Sequence, residues 1–337
     1  MYKLYQRGHN GKKHIFIRRK KNPAPGIIIM KHLFIFLLLF TLINACMAQN
    51  EPLLRLANGE TYYLNSTGTS SVMQSVNGRQ ERVNIALSYR MAFKVTNVKD
   101  SIYTMQVSYQ TLQMKIRMAD TTLDMGSEPK SKLDTPSAII AQMMNKPFSI
   151  TLSCTGHVRS VDNLDQMITA AFDIFPQLGG NKKEAIKSRF IQSFGQNAFK
   201  GNIEMGIAIL PAVAVSKGFK WVANTSEQSP APVNVHTFYQ LIDLTADVYQ
   251  VHGEGSLATD STAKPLEIEG MPMKYNLQGT TLTDVKIDRK TGWIIELQLK
   301  QLMEGNMEVL DNPKIPGGKT IPMLFTTELT ATGGKTP

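Results

Sequence analysis

The sequence predicts an α+β protein, predominantly antiparallel β, made of two related curved β units with a helical segment between them. Three observations support this class. Several stretches alternate apolar and polar residues, as strands with one buried face do. One strand, turn and strand pattern occurs twice at a constant spacing, which indicates an internal duplication. Between its two occurrences the apolar residues recur at helical spacing instead.

Alternation is clearest in residues 295–300, where apolar residues occupy the odd-numbered positions and polar residues the even-numbered ones. Similar alternation appears in residues 82–95, 103–118 and 324–332. Because successive side chains of a strand point to opposite faces, each run predicts a half-buried strand. Four such runs in one chain favour a large antiparallel sheet.

The duplication rests first on residues 93–105, which align without gaps on residues 239–251 at an offset of 146. Each copy reads as an apolar strand, a polar turn and a second strand. The second strand restarts with Ile102-Tyr103 in one copy and Val248-Tyr249 in the other. We therefore predict the same hairpin twice.

Four glycines mark matching turns on either side of this hairpin. Gly59 and Gly218 each stand three residues before an aromatic residue. Gly156 and Gly292 each follow a threonine and lead into an alternating strand. We predict structural turns at all four, with a positive φ at the two Thr-Gly pairs, since glycine adopts that backbone conformation without steric cost.

Helices are predicted at residues 135–144, 164–175 and 181–198, each with a capping residue or proline near its start. They would cover one face or one end of the sheets. Polar stretches at residues 119–133 and 224–232 are predicted surface loops, because they lack either periodicity.

The amino-terminal part reads as a leader. Residues 30–48 combine a basic start, an apolar run at 33–43 and a processing region of small residues. This is the order of a signal peptide, and the apolar run is too short for a spanning helix, which needs about 20 residues. We expect export, to the periplasm, the outer membrane or the medium. Residues 1–29 are then a mis-assigned or extended amino terminus.

Two processing routes remain open at the end of the leader. Ile43-Asn44-Ala45-Cys46 resembles a lipobox, in which Cys46 would carry a lipid and tether the protein to a membrane. Cleavage between Ala48 and Gln49 also fits ordinary signal peptidase, and we favour it because Asn44 suits a lipobox poorly. Either route leaves Cys154 as the only thiol of the body, so no intramolecular disulfide forms.

These boundaries predict five segments. They are an amino-terminal extension (1–29), a signal peptide (30–48), a first β unit (49–161), a helical insert (162–205) and a second β unit (206–337).

Net charge argues against nucleic acid as a partner. The formal charge is +10, but nine of the 37 basic residues lie in residues 1–48, which contain no acidic residue. The body is therefore close to neutral. A nucleic-acid-binding domain needs a basic face of its own, because neutralising phosphates supplies most of its affinity.

Catalytic and metal motifs are missing from the sequence. Only His157, His236 and His252 follow the leader, without a metal-ligand spacing, and the chain has no nucleophile elbow, P-loop or dinucleotide fingerprint. His157 holds the place of Trp293 in the other copy, which favours a packing role. We predict no catalytic, cofactor-binding or metal-binding residue and no enzyme activity.

Methionine is the one unusual feature of the composition, with 18 in the chain. Five gather in the second β unit: Met271, Met273, Met303, Met307 and Met323. Flexible thioethers fill irregular cores and also line adaptable apolar cavities, and we favour core filling.

Several short motifs carry a family resemblance across residues 53–332. They are Gly59-Glu60-Thr61-Tyr62, Gly218-Phe219-Lys220-Trp221, Met273-Lys274-Tyr275, Asp288 followed by Thr291-Gly292, and Ile321-Pro322-Met323. With its leader, the chain resembles a family of exported Bacteroidota proteins known as domain of unknown function 6263. The chain departs from the family in having Lys217-Gly218-Phe219-Lys220, where an acidic residue would usually follow the glycine. The resemblance implies a β-rich fold and brings no catalytic residue.

For function we predict a non-catalytic binding or carrier module. Two curved sheets with helices over one opening would enclose an apolar cavity, by analogy with lipocalin-like and lipoprotein-carrier folds. The expected ligand is a lipid or another apolar molecule, with no cofactor. The alternative is a structural or assembly protein of the cell envelope that acts through a protein partner.

Overall fold

One antiparallel sheet dominates the computed structural model, which describes residues 51–76, 78–131, 134–175, 179–227, 231–268 and 270–336. The predicted leader, with Cys46 and the Ala48 and Gln49 cleavage site, lies outside these residues. The sheet has thirteen strands within the described residues. They are β1 Thr61–Val76, β2 Arg79–Lys99, β3 Ile102–Arg117, β4 Thr122–Gly126, β5 Phe148–Ser153, β6 Val158–Asp162, β7 Lys220–Glu227, β8 Val233–Leu244, β9 Val248–Thr259, β10 Leu266–Ile268, β11 Met271–Asp288, β12 Ile294–Val309 and β13 Lys319–Gly334.

The strands follow the order β6-β5-β3-β2-β1-β13-β12-β11-β9-β8-β7, while β4 pairs with β3 and β10 with β11. The sheet is open and curved, with β6 and β7 at its edges. Along this order the strand numbers decrease from β6 to β1 in the first half and from β13 to β7 in the second. The two halves meet where β1 pairs with β13. The predicted class, mainly antiparallel β with a few helices, is confirmed.

Alternating burial shows why these segments form strands. In β8, Val233, Val235, Thr237 and Tyr239 are buried, whereas the residues that alternate with them, Asn234, His236 and Phe238, are exposed. One face of each long strand therefore lines the interior, as the sequence pattern requires.

Four helices cover part of that interior: α1 Thr135–Met143, α2 Leu164–Asp173, α3 Gly180–Phe194 and α4 Gln196–Ile207. Helix α1 begins at Thr135, and the Asp134 carboxylate caps it by accepting a hydrogen bond from the Ser137 N–H at 3.3 Å. The third predicted helix is two helices, because Gly195 between them has an extended backbone.

Two of the predicted loops contain strand residues. Strand β4 lies inside residues 119–133 and pairs with the end of β3, from Gln113 opposite Gly126 to Arg117 opposite Thr122. Strand β7 continues into residues 224–232 as far as Glu227. Pairing with a neighbouring strand outweighs the local polarity that suggested loops.

Buried side chains form two clusters. The larger one joins the helices to one end of the sheet and contains aromatic residues of both β units, among them Tyr62, Phe93, Tyr239 and Trp293. The smaller cluster lies within the second unit and contains Met303, Met307 and Met323. The two β units therefore share the larger core.

Helix α4 joins the two edges of the sheet, because it packs against both β6 and β7. The buried Glu204 side chain of α4 accepts a hydrogen bond from the Val158 N–H of β6 at 2.8 Å. Just beyond α4, the Ile209 carbonyl accepts one from the Trp221 indole of β7 at 2.7 Å. The helix thus occupies the seam that the sheet leaves open.

Candidate functional site

The two copies predicted from the sequence fold into equivalent hairpins, β2–β3 and β8–β9. Val95 pairs with Met105 in the first, and Leu241 pairs with Val251 in the second. Immediately after each pair the register shifts at a β-bulge, between residues 95 and 97 and between residues 241 and 243. Because bulges are individual features of a strand, their shared position supports two related β units.

The first pair of predicted turn glycines is equivalent in detail. Gly59 and Gly218 have φ of 85° and 86°. The Gly59 N–H donates to the Val95 carbonyl at 2.9 Å, and the Gly218 N–H donates to the Leu241 carbonyl at 2.8 Å. Each glycine therefore ties the start of its unit to the residue that precedes the bulge.

The second pair of turns links the units to each other. Gly156 and Gly292 have φ of 86° and 68°. A Cβ on Gly156 would collide with the Ile207 carbonyl, and a Cβ on Gly292 with the Leu53 carbonyl. The turn of each unit is thus covered by the chain segment that leads into the other unit.

The three histidines lie apart from one another. His157 has a side chain 52% exposed, with Nδ1 3.8 Å from Glu204. On the outer face, His236 contacts the Asn224 side chain at 2.7 Å, while His252 pairs with Asp284 at 2.7 Å. The Asp284 carboxylate raises the pKa of His252 above its ordinary value. No group of three or more His, Cys, Asp or Glu side chains in the described part of the chain is placed to hold a metal.

The inner face of the sheet continues beyond the helices as an apolar strip. Its residues are only partly buried: Val83, Ile85 and Leu87 of β2, Met114 and Ile116 of β3, and Val72 and Phe325 of β1 and β13. Where the strip meets α3 and α4, a small cavity of about 50 Å³ lies between Leu87, Tyr89 and Phe199. Burial raises the pKa of the Tyr89 hydroxyl beside it.

All five methionines noted in the second unit gather at the same end of the sheet. Met303, Met307 and Met323 are buried, and Met271 and Met273 are partly buried against them. The sequence identified this group by composition, and the strand register brings it together.

A polar row crosses the inner face between the apolar strip and β8, and sequence analysis did not identify it. Ile85 pairs with Ser70, Ser70 with Thr327, Thr327 with Gln301, and Gln301 with Thr281. We call Ser70, Thr327, Gln301 and Thr281, together with Glu227, the polar belt. Ser70 and Thr327 hydroxyls lie 3.1 Å apart.

Glu227 joins the belt from β7. Its carboxylate accepts a hydrogen bond from the Gln301 amide at 2.6 Å, and the same amide lies 3.7 Å from the Met205 sulfur of α4. Burial raises the pKa of Glu227, an effect that the Gln301 hydrogen bond partly offsets. The belt therefore places an ionisable group inside an otherwise apolar surface.

Two larger concavities lie against the outer face. One of about 380 Å³ is lined by outer-face residues such as Asn84, Lys115 and Arg117, and also by Ile85 and Ser70. Another, of about 300 Å³, includes Lys286 and Glu296, which form an ion pair at 2.6 Å. The candidate site is accordingly the inner face, where apolar and polar groups meet.

Within the described residues no helix has the length and apolar character needed to cross a membrane. No curated protein matches the chain.

Comparison with solved structures finds outer membrane proteins of Pseudomonas. The outer membrane protein OprG of Pseudomonas aeruginosa is 5% identical, with 82% of this chain and 97% of that chain covered, at a TM-score of 0.21. An outer membrane channel of Pseudomonas putida F1 is 7% identical, with 83% and 97% covered, at a TM-score of 0.18. Scores this low carry no argument about fold or function.

A family model matches residues 100–294, more than half of the chain. The matched range runs from the turn between β2 and β3 to the first residue of β12, so it includes the helices and most of the second unit. The chain therefore belongs to the Family of unknown function (DUF6263).

Proposed function

We propose that the protein is a non-catalytic binding or carrier module that holds an apolar ligand against the inner face of its sheet. The observation that carries this proposal is the apolar strip. Val83, Ile85, Leu87 and Ile116 face inward beyond the helical cover, yet each remains partly accessible. Binding sites for apolar ligands are concave surfaces of this composition with a few polar groups.

The methionines support an adaptable site. Met114 lies in the strip, and Met271 and Met273 are partly buried at the edge of the second core. Thioether side chains have three rotatable bonds and a polarizable sulfur, so they repack around ligands of different shape. A carrier that accepts related apolar molecules benefits from such a lining.

The proposed site of action is the cell envelope, on the strength of the leader at residues 30–48. Cleavage before Gln49 would release a soluble carrier, whereas lipidation of Cys46 would tether it to a membrane. Intact mass of the native protein distinguishes these forms, since a lipid on Cys46 adds a defined increment.

Native mass spectrometry of protein purified from its own envelope tests the proposal directly. We expect a co-purifying apolar molecule that is lost on partial unfolding. In a second assay the protein should enhance the fluorescence of the neutral dye N-phenyl-1-naphthylamine.

A matched pair of variants tests which face of the sheet binds the dye. Ile85→Asn puts an amide on the strip, and Ala86→Asn puts the same amide on the outer face one residue further on. The first should weaken dye binding several-fold, whereas the second should leave it unchanged. Equal effects of the two variants, or no dye binding by the wild type, would count against a carrier.

One observation favours the alternative, an envelope protein that acts through a protein partner. Phe238 on the outer face of β8 is 61% exposed, and its cross-strand neighbour Val222 is 45% exposed. Large contiguous apolar patches mark interaction surfaces, and under this alternative these two residues belong to one. Under this alternative Phe238→Ser abolishes co-purification of a specific envelope protein without changing dye binding.

A further inference from the structure

The hydrogen bond between Gln301 and Glu227 crosses the interior of the sheet. Gln301 lies on β12 and Glu227 on β7, and β11, β9 and β8 separate these two strands in the sheet order. Their side chains nevertheless meet at 2.6 Å. The curved sheet thus brings an amide and a carboxylate together from opposite walls.

Thr281 is the second observation. It lies directly opposite Gln301 on the inner face of the β11–β12 ladder, and its residue is only 3% exposed. Its hydroxyl has no hydrogen-bond partner among the described residues. Buried polar groups are nearly always hydrogen-bonded, so an unpaired hydroxyl beside a hydrogen-bonded pair is a candidate partner for a polar group of a ligand.

Charge decides which polar group fits. Within the described residues no lysine or arginine pairs with Glu227, and its one recorded hydrogen bond comes from the neutral Gln301 amide. Even a partly buried carboxylate gains from a positive charge or further donors, because removing it from water is costly. A ligand that carries a protonated amine would supply both.

The belt also lies within reach of the apolar strip. Ile85, Ser70, Thr327 and Gln301 occupy neighbouring strands in one continuous row. Three strand spacings separate Ile85 from Gln301, about 14 Å along the sheet. A single molecule can therefore lay an apolar chain on the strip and place its polar end at the belt.

We infer that the ligand is an amphiphile whose polar group is an amine, which Glu227 and Thr281 bind while the apolar chain lies along the strip. This inference rests on the proposed function, since it names the class of ligand for the same inner face. Glu227 accepts a charge-assisted hydrogen bond from the ammonium group, and the Thr281 hydroxyl accepts a second one.

Dodecylamine and dodecanoate test the inference, because they share a chain length and differ in the charge of the polar group. Each is titrated below its critical micelle concentration against protein loaded with N-phenyl-1-naphthylamine. A charge-assisted hydrogen bond predicts that dodecylamine displaces the dye at a concentration about tenfold lower than dodecanoate. Similar concentrations, or a preference for dodecanoate, would overturn the inference.

Variants locate the preference. Glu227→Gln should remove the preference for dodecylamine over dodecanoate while leaving dye binding intact. Thr281→Val should weaken dodecylamine binding several-fold. Thr280→Val, on the outer face of β11 beside Thr281, and Glu304→Gln, on the outer face of β12, are the controls. A preference that survives Glu227→Gln refutes the assignment of the polar group while the carrier proposal stands. If the wild-type protein does not bind the dye, the carrier proposal itself is refuted.

Discussion

The indole N–H of Trp293 donates a hydrogen bond to the backbone carbonyl of Tyr63, 3.1 Å away. Trp293 follows the turn of the second unit, and Tyr63 belongs to the first strand of the first unit. The indole ring is 2% exposed and packs against Tyr62 and Phe93 at centroid distances of 5.4 and 5.3 Å. One side chain therefore joins the two units.

Trp293→Ala should lower the free energy of unfolding by about 3–5 kcal/mol, because it removes these contacts and leaves a cavity. Chemical denaturation of the purified body measures the loss. His157→Ala is the matched comparison, since His157 holds the equivalent place in the first unit with a side chain 52% exposed. It should cost much less, and equal losses would contradict a packing role for His157.

A second prediction separates backbone strain from steric collision at the turns. Gly218→Ala should cost about 1–2 kcal/mol, because an L-residue at positive φ is strained and a Cβ there meets no atom within 4 Å. Gly292→Ala should cost more, since its Cβ also collides with the Leu53 carbonyl.

Thermal melts of the two variants give the comparison. Similar melting temperatures would mean that the segment around Leu53 shifts away from the added Cβ at little cost in stability. A larger loss in Gly292→Ala would support the reciprocal cover of the Thr-Gly turns by segments of the opposite unit.

The repeat could be predicted from the sequence because its landmarks are local. A glycine at positive φ, a polar turn and an alternating strand each leave a pattern within a few residues, so residues 93–105 and 239–251 could be matched by inspection. The leader predicted at residues 30–48 rests on local patterns of the same kind and lies outside the described residues.

The polar belt could not be predicted from the sequence, because its members come from β1, β7, β11, β12 and β13. Ser70 and Thr327 are 257 residues apart in the chain, and Glu227 and Gln301 are 74 apart. Gln301 and Thr327 look like single polar breaks in the apolar faces of β12 and β13, and the other members lie among further polar residues of their strands. Only the strand order and register bring them into one row.

A third prediction concerns the seam between β6 and β7. Glu204→Ala should destabilise the protein by about 1–3 kcal/mol, because the Val158 N–H would lose its acceptor in a buried place. Amide hydrogen exchange should show faster exchange at Val158 and in α4. Glu184→Ala on the exposed face of α3 is the control, and an effect there as large as at Glu204 would point to helix content rather than to the seam.

The last prediction uses the ion pair of His252 with Asp284. The Asp284 carboxylate, whose oxygen lies 2.7 Å from His252 Nδ1, holds the pKa of His252 above its ordinary value, and Glu254 at 3.4 Å adds a smaller effect. Asp284→Asn should therefore lower the pKa of His252, and Glu254→Gln should lower it less. NMR titration of the imidazole protons measures both changes.

The raised pKa of His252 also determines how the ion pair's contribution to stability depends on pH. Because the folded protein favours the protonated imidazole, the pair contributes stability below the pKa of the unfolded histidine, and this contribution disappears as the pH rises through the folded-state pKa. Wild type and Asp284→Asn should thus differ in stability at low pH, still above the range in which carboxylates are protonated, and converge at high pH. Both groups are partly exposed, so the difference should be small and should shrink with added salt. A difference that grows with pH would contradict the pairing of His252 with Asp284.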